Sequence, residues 1–515
     1  MTTQEQVLIV GAGPVGLTLA MELARHGVRP RIIDQAAARS DKSKALVVWS
    51  RTLELLQAAG LADRFLAAGL RVGEARIFAG SRKLVAMPLG LIDSAFNFGL
   101  LLPQSETERL LEEHLTQRGV TVERSVALAG LRQEADAVIA SLVQADGREE
   151  QLAASWLVGC DGAHSTTRHA LGLAFAGETE DSDWILGDVR IDQGQAGEPV
   201  LTRTALNIFW HAEGVLIFFP LGEDRYRVAA DVGPARGEGR RPDPSLVDIQ
   251  EVMDRRGPGR WRATDPAWLS SFRINERQVD HYRIGRVFLA GDAAHIHSPA
   301  GGQGMNTGMQ DAFNLAWKLA LVCRGQAADG LLLASYERER RPVAATVIRA
   351  ATLGTRLAII RQPLGRILRD TLVSLVSGLP PVQRGFANRL AETAIAYHDS
   401  LLTGTTANEN RAGGLARPGL RAPDVRLEAA PGEPDTLYGR LAAGHFLAVG
   451  KAAPATQARE RFEARFGAVC HTCSALGETG ALTLVRPDGY VAVVAAPGDW
   501  KTLDDHLLRI LGRVS

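Results

Sequence analysis

The sequence predicts a mixed α/β protein of several domains, and three observations carry that prediction. The first thirty-four residues alternate strand, glycine turn, helix and strand. Residues 175–275 are dominated by strand-like alternation. A second buried strand, Arg286–Leu289, runs into a glycine loop and then a long helix. At 515 residues the chain is too long for one hydrophobic core and divides into about three domains.

The opening stretch, VLIVGAGPVGLTLAMELARHGVRPRIID, organises the rest. Val7–Val10 is fully apolar, too short for a helix and bounded by glycine, as a buried parallel strand is. Gly11, Gly13 and Gly16 fall in a G-x-G-x-x-G pattern, with Pro14 and Val15 inside it. Helical apolar spacing follows from Leu17 to His26, and Gly27 ends it. Arg31–Ile33 form a second strand that stops at Asp34, beside Gln35, about 20 residues beyond the glycines. Gly11 permits the tight turn, Gly13 lets backbone N–H groups approach a pyrophosphate, and Gly16 lets helix and strand pack closely. The helix N-terminus favours phosphate, and Asp34 suits a ribose diol. The stretch therefore predicts a Rossmann-like domain binding an ADP-containing dinucleotide.

Composition bounds the partners. Lys plus Arg and Asp plus Glu both total 58, so no net field attracts nucleic acid or an anionic membrane, and a small-molecule partner fits better. No apolar run reaches the roughly 18–20 residues of a membrane span, and no signal-peptide pattern opens the chain, so the expected location is cytoplasmic. Four cysteines, Cys160, Cys323, Cys470 and Cys473, are too few for a disulfide framework.

Residues 36–56 are basic, with Arg39, Lys42, Lys44 and Arg51. Ser50–Leu56 starts a helix, and Arg51 and Lys44 are candidates to reach a phosphate. Residues 71–101 turn strand-like, a β excursion expected to join another domain. Ser105 and Glu108 are spaced as a capping box for the next helix. Strands recur over 120–158, leading into Cys160-Asp161-Gly162 and a short helix through Arg168. In 175–275 the segments Ala205–Trp210, Val215–Pro220 and Arg225–Val232 resemble adjacent strands. Arg286–Ala290 ends in Gly291-Asp292, where the acid suits a polyol hydroxyl. A loop from Ser298 to Asn306 follows, carrying Pro299, Gly302, Gly304 and Met305, and then a helix over 307–323. That helix N-terminus would stabilise negative charge on an aromatic ring system. Further helices extend to His398, a linker covers 403–423, and a last unit alternates strand and helix. The expected division is a first domain in two parts, 1–175 and, with the long helices, 276–400; a β-sheet substrate domain at 176–275 to which the 71–101 excursion contributes; and a linker with the last unit at 401–515.

Taken together, GAGPVG, the Cys160–Arg168 block and the Gly291–Asn306 block make the chain resemble the FAD-dependent aromatic hydroxylases of the para-hydroxybenzoate hydroxylase type. Gln104 and the Arg51–Glu54 block match as well. Leu484–Val491 resembles the C-terminal thioredoxin-like domain of the phenol and polyketide hydroxylase branch. The resemblance implies FAD contacts at Gly11, Gly13, Pro14, Val15, Gly16, Asp34, Gln35, Lys44, Arg51, Gln104, Val126, Asp161, Gly291, Asp292, Pro299, Gly302, Gly304, Met305 and Asn306. It implies NADPH or NADH as a transient co-substrate, since a second G-x-G-x-x-G is missing. It also implies oxygen transfer from a C4a-hydroperoxyflavin to an electron-rich aromatic carbon. The protein's share is to position the ring and exclude water.

Trp49 stands where many relatives of that type carry a smaller residue, and is expected to wall the substrate, with Phe209, Phe218 and Pro299 as further candidates. His211, Tyr226 and His295 are the candidate proton acceptors. Cys470-His471-Thr472-Cys473 follows a helix instead of opening one, so neither redox chemistry nor zinc binding is expected there. Baeyer–Villiger insertion, N-oxygenation, antibiotic modification, and a reductase or simple FAD carrier are the competing readings. A monomer or a homodimer fits equally.

Overall fold

The computed structural model describes residues 5–41, 43, 45–194, 201–235, 237, 241–259, 261–404, 415–451, 456–477 and 480–512. Lys42 and Lys44 lie outside them. Four sheets carry the architecture.

The first sheet is built on parallel strands in the order 287–289, 149–159, 5–10, 31–34 and 122–124. Val7, Leu8, Ile9, Leu157, Val158 and Phe288 are fully buried, because parallel strands are covered on both faces and so are continuously apolar. Register aligns their C-terminal ends: Val10 lies opposite Gly159, and Gly159 opposite Leu289. Backbone bonds continue just past these ends, from Gly11 N to Ile33 O, Cys160 N to Val10 O and Ala290 N to Gly159 O. Three glycine-bearing loops separated by up to 280 residues of sequence are thereby brought to one edge, where open α/β sheets bind ligands.

The second sheet has eight strands in the order 295–296, 262–278, 176–192, 225–231, 214–220, 205–211, 74–79 and 82–88. The excursion after residue 71 completes it, since 74–79 pairs parallel with 205–211. Strand alternation sorts its side chains. Phe209, Phe218, Tyr226 and Val228 face the helix Leu246–Arg256 and Trp261. On the other face, Leu206 and Phe219 join one apolar cluster, and Ile208, Trp210 and Ile217 another.

The helix at 104–117 begins at Gln104 behind Pro103, with no side-chain cap. The capping box expected from Ser105 and Glu108 does not form. The earlier start moves Ser105 inside the helix, and Glu108 accepts instead from Gln104 Nε2 at 2.9 Å.

The C-terminal sheet runs 470–475, 446–451, 482–485, 491–495, parallel in the first pair and antiparallel in the others, with helices Gln457–Phe466 and Trp500–Leu511. Cys470 and Cys473 are free thiols on an edge strand, and burial pushes both upward from the ordinary thiol range.

A buried ionic cluster joins this unit to the long helices. Glu339, on the helix Asp329–Ala358, accepts from Lys318 Nζ at 2.8 Å and Asn314 Nδ2 at 2.6 Å. From the C-terminal hairpin it accepts Arg486 at 2.6 and 2.9 Å. Desolvation pulls Lys318 down to about 8, with Glu339 opposing. Arg486→Met should strand Glu339 and Asp488 in the interior and destabilise the protein by about 3–5 kcal/mol in equilibrium denaturation.

Candidate functional site

The first wall of the crevice is the glycine turn. Gly11 has φ of 100°, and a Cβ there would lie 2.5 Å from Cys160 O. One at Gly16 would lie 1.9 Å from Gly11 O. Those two glycines are required by the protein's own packing. Gly13 is not: a Cβ there meets nothing within 4 Å. The space beside it suits a ligand approaching the backbone, as a pyrophosphate does. Gly13 caps the helix Pro14–Arg25 without any side-chain bond, leaving the first N–H groups available. Asp34 is fixed by accepting from Ala12 N at 2.7 Å and Ala36 N at 2.8 Å, while Gln35 is exposed beside it. Val126 packs its side chain into the core with Val10 and Ile33, so only its backbone borders the Asp34 loop, through Ser125 N to Ala36 O.

Gln104 receives Ala45 N on its Oε1 at 3.2 Å, bracing the segment that precedes Trp49. Asp161 accepts from Ser165 Oγ and from both N and Oγ1 of Thr167, closing the 160–168 loop on itself. Arg168 donates to Ala163 O and Ala293 O and lies 4.1 Å from the Phe175 ring centroid. Both are scaffold, and Arg168 ties this loop to the turn carrying Asp292.

That turn forms the second wall. Gly291 has φ of 59°, and a Cβ there would meet Val15 at 2.6 Å, as one at Gly308 would at 2.8 Å. Val15 is thus wedged between two glycines, which lets the helices 14–25 and 304–323 approach. Asp292 and Pro299 are exposed, Met305 is 9% exposed, and Gly302 has φ of 64° beside Val47. The helix Gly304–Cys323 has no side-chain cap, so the N–H groups of Gly304, Met305 and Asn306 are available at the same edge. These features fit a dinucleotide laid across two helix N-termini.

Several candidate residues sit elsewhere. Arg51 is fully buried, donating to Glu54 at 2.9 Å, Tyr438 Oη at 2.6 Å and Asp488 O at 2.6 Å; it docks the C-terminal unit and reaches no phosphate site. The Asn306 side chain is fully engaged, accepting from Trp49 N and donating to Val47 O and Gly302 O, so it offers no side-chain contact to a ring. Trp49 is 1% exposed and donates to Gly301 O at 2.8 Å; it anchors the glycine loop instead of presenting an open wall. Phe209 and Phe218 face the wrong side of the sheet, as does Tyr226, whose hydroxyl donates to Leu201 O at 3.4 Å and whose pKa burial pushes upward. His211 Nδ1 accepts Glu213 N in a hairpin turn. His295 pairs with Asp311 at 2.8 Å inside the core.

An apolar cluster reaches the glycines beside Pro299 through Val47, Trp49 and Leu390. Leu206, Phe219, Leu221 and Leu390 cluster with Val47, Trp49 and Leu101, and Leu390 lies 3.2 Å from where a Cβ on Gly301 would stand. Strict alternation carries the signal that would have found them, since Phe219 must oppose Phe218.

A match to the FAD binding domain family spans residues 4–351, and one to the aromatic-ring hydroxylase C-terminal family spans 416–514. The chain belongs to the FAD-dependent aromatic hydroxylases. This hydroxylase is 37% identical to 6-methylpretetramide 4-monooxygenase of Streptomyces rimosus over 98% of its own length and 93% of the relative's. It is 42% identical to a rifampicin monooxygenase of Streptomyces venezuelae, over 66% of its own length and 69% of the relative's. The solved anhydrotetracycline hydroxylase OxyS of Streptomyces rimosus superposes with a TM-score of 0.82 at 30% identity, covering all of both chains. The hydroxylase is therefore a flavoprotein monooxygenase that uses FAD.

One residue of this hydroxylase gave no sequence signal. Glu392 has φ of 60° and is 1% exposed. Its carboxyl accepts from Thr307 Oγ1 at 2.6 Å and from Gln310 Nε2, one turn inside the 304–323 helix. Burial pushes its pKa from 4.5 up to about 7, with Thr307 opposing. A raised carboxyl binds its proton more tightly folded than unfolded. Its contribution, on the order of 3 kcal/mol, is therefore fully present below about pH 4.5 and lost as pH rises through about 7. Glu392→Gln should flatten that part of the stability–pH profile measured by denaturation.

Proposed function

We propose that the enzyme hydroxylates a flat, fused-ring phenolic compound using reduced nicotinamide and O2. The observation that carries the substrate class is the apolar cluster that joins Leu206, Phe219 and Leu221 to Val47, Trp49 and Leu390, the last three against Gly301 and Gly302 of the loop carrying the exposed Pro299, a lining suited to a flat hydrophobic ring system. The relatives named for 6-methylpretetramide and anhydrotetracycline support the same class.

In this reading Gly11, Gly13, Pro14 and Gly16 hold the FAD pyrophosphate at a helix N-terminus, and Asp34 takes the ribose. Asp292 holds the ribityl region, and the backbone of Gly302, Gly304 and Met305 borders the flavin ring. Bound FAD supplies the two-electron and oxygen chemistry. The chain's own residues do three things. The first-turn N–H groups of 304–306 stabilise negative charge at the ring edge. The Leu206–Phe219 face excludes water and orients the substrate plane. The bond from Trp49 to Gly301 holds the loop between them. None of His211, Tyr226 and His295 serves as proton acceptor in this scheme, because each is engaged or buried away from the cluster.

The test is NADH and NADPH oxidation by the FAD-loaded enzyme across mono- and polycyclic phenols, with product masses. Stimulation by fused-ring phenols and a product carrying one added oxygen atom is expected. Stimulation without an oxygenated product would overturn the reading. Phe219→Ala should raise KM for a fused-ring substrate about tenfold, or about 1.4 kcal/mol, at unchanged FAD content. Gly13→Leu should abolish FAD retention in gel filtration with absorbance detection, while circular dichroism stays unchanged.

A further inference from the structure

The helix Pro363–Val376 is turned inside out. Of its two arginines, Arg366 is half-buried and Arg369 only 5% exposed, donating to Leu357 O and Ala358 O and lying 4.2 Å from the Trp210 ring centroid. Its leucines face away from the molecule: Leu364 is 82% exposed, Ile367 64%, Leu368 61% and Leu375 68%. Leu372, Val376, Leu379, Val382 and Phe386 extend the same surface onto the helix Pro380–Leu390, and Leu353 and Leu357 onto the end of the preceding one. Nearly every other large apolar side chain of the described residues is covered. Together these side chains expose on the order of 1,000 Å², above the few hundred normal for a monomer and comparable with the roughly 800 Å² each partner contributes to a standard interface.

The spacing says what covers it. Leu364, Leu368, Thr371 and Leu375 recur at intervals of four, three and four, a coiled-coil seam. The flanking apolar positions are symmetric about the point between Thr371 and Leu372. An antiparallel copy would set Leu368 against Leu375, Ile367 against Val376, and Leu364 against the turn at Leu379. The seam carries no charge, so nothing on it repels an identical surface. A two-fold interface needs such self-complementarity.

We propose that this face is the two-fold interface of a homodimer, formed by antiparallel packing of 363–376 against its copy. The contact would brace the enzyme's substrate region, because the other side of helix 380–390 supplies Ala387 and Leu390 to the cluster around Trp49.

Sedimentation equilibrium of the FAD-loaded full chain tests this. The wild type should sediment at twice the monomer mass, and Leu368→Glu/Leu375→Glu at the monomer mass, with unchanged FAD content and circular dichroism. A monomeric wild type, or a variant that remains dimeric, would overturn the proposal. So would co-sedimentation of a monomeric wild type with phosphatidylglycerol vesicles, which would make the face a lipid-binding surface. Leu368→Cys/Leu375→Cys should yield an intermolecular disulfide under oxidation. A dimer that forms no such crosslink would refute the antiparallel register.

Discussion

The arrangement of the crevice depends on one buried carboxylate. Asp311 has no solvent exposure, and its two oxygens accept from Gly291 N at 3.0 Å, His295 Nε2 at 2.8 Å and Arg340 Nε at 2.6 Å. Burial alone would raise its pKa, but Arg340 and His295 outweigh that and hold it below the ordinary value. The carboxylate joins the turn carrying Asp292, the helix 304–323 and the helix 329–358. A charge in this position is tolerable only when paired and fully hydrogen-bonded, so its partners are committed as well. That explains why His295, although it stands only three residues after Asp292, works as part of the frame.

The same logic extends outward. Arg340 also donates to Tyr397 Oη and Thr307 O, and Tyr397 stacks near Tyr490 of the C-terminal hairpin, their ring centroids 4.2 Å apart. Glu339, the residue before Arg340, faces Arg486 of that hairpin. Adjacent residues of one helix therefore connect the dinucleotide edge on one side with the C-terminal unit on the other. That unit carries the thioredoxin-like strand order with its cysteines on a strand, away from any helix start that would activate a thiol. Its contribution lies in the hairpin 486–490, which receives Arg51 and buries the helix 50–58 against it.

Local signals in the sequence were legible because their physics is local. The turn 11–16, the strand-end acids and the helix after the 298–306 loop are each specified within a few residues, although that helix starts at Gly304 and not at the expected Thr307, and the structure brings their loops to one edge. Arg51 was misleading because a basic residue near a phosphate fingerprint has two equally satisfying environments. Its actual partners, Tyr438 and Asp488, lie 387 and 437 residues away in sequence. The aromatic strands failed differently. Alternation says that Phe218 and Phe219 oppose each other, but which one faces the crevice depends on where the helix 246–256 packs. Glu392 is the extreme case, since neither its left-handed backbone nor its burial leaves a trace in the surrounding residues.

The loop 298–306 links the two halves of the chemistry. Ser298 Oγ lies 2.8 Å from Thr355 Oγ1, Gln303 Nε2 donates to Arg389 O, and Asn306 clasps the backbone at Val47 and Trp49. The loop is thus held by three separate elements, two of which also feed the apolar cluster: the segment 47–49 with Val47 and Trp49, and the helix 380–390 with Ala387 and Leu390. A substitution that reshapes the cluster through Trp49 must therefore move Gly301, and with it the first turn of the helix at the cofactor edge. Phe219 and Leu206 approach from the opposite sheet without any bond to the loop. In the proposed reading, changes in substrate shape are absorbed on that sheet, whereas changes on the loop side alter both partners of the reaction together.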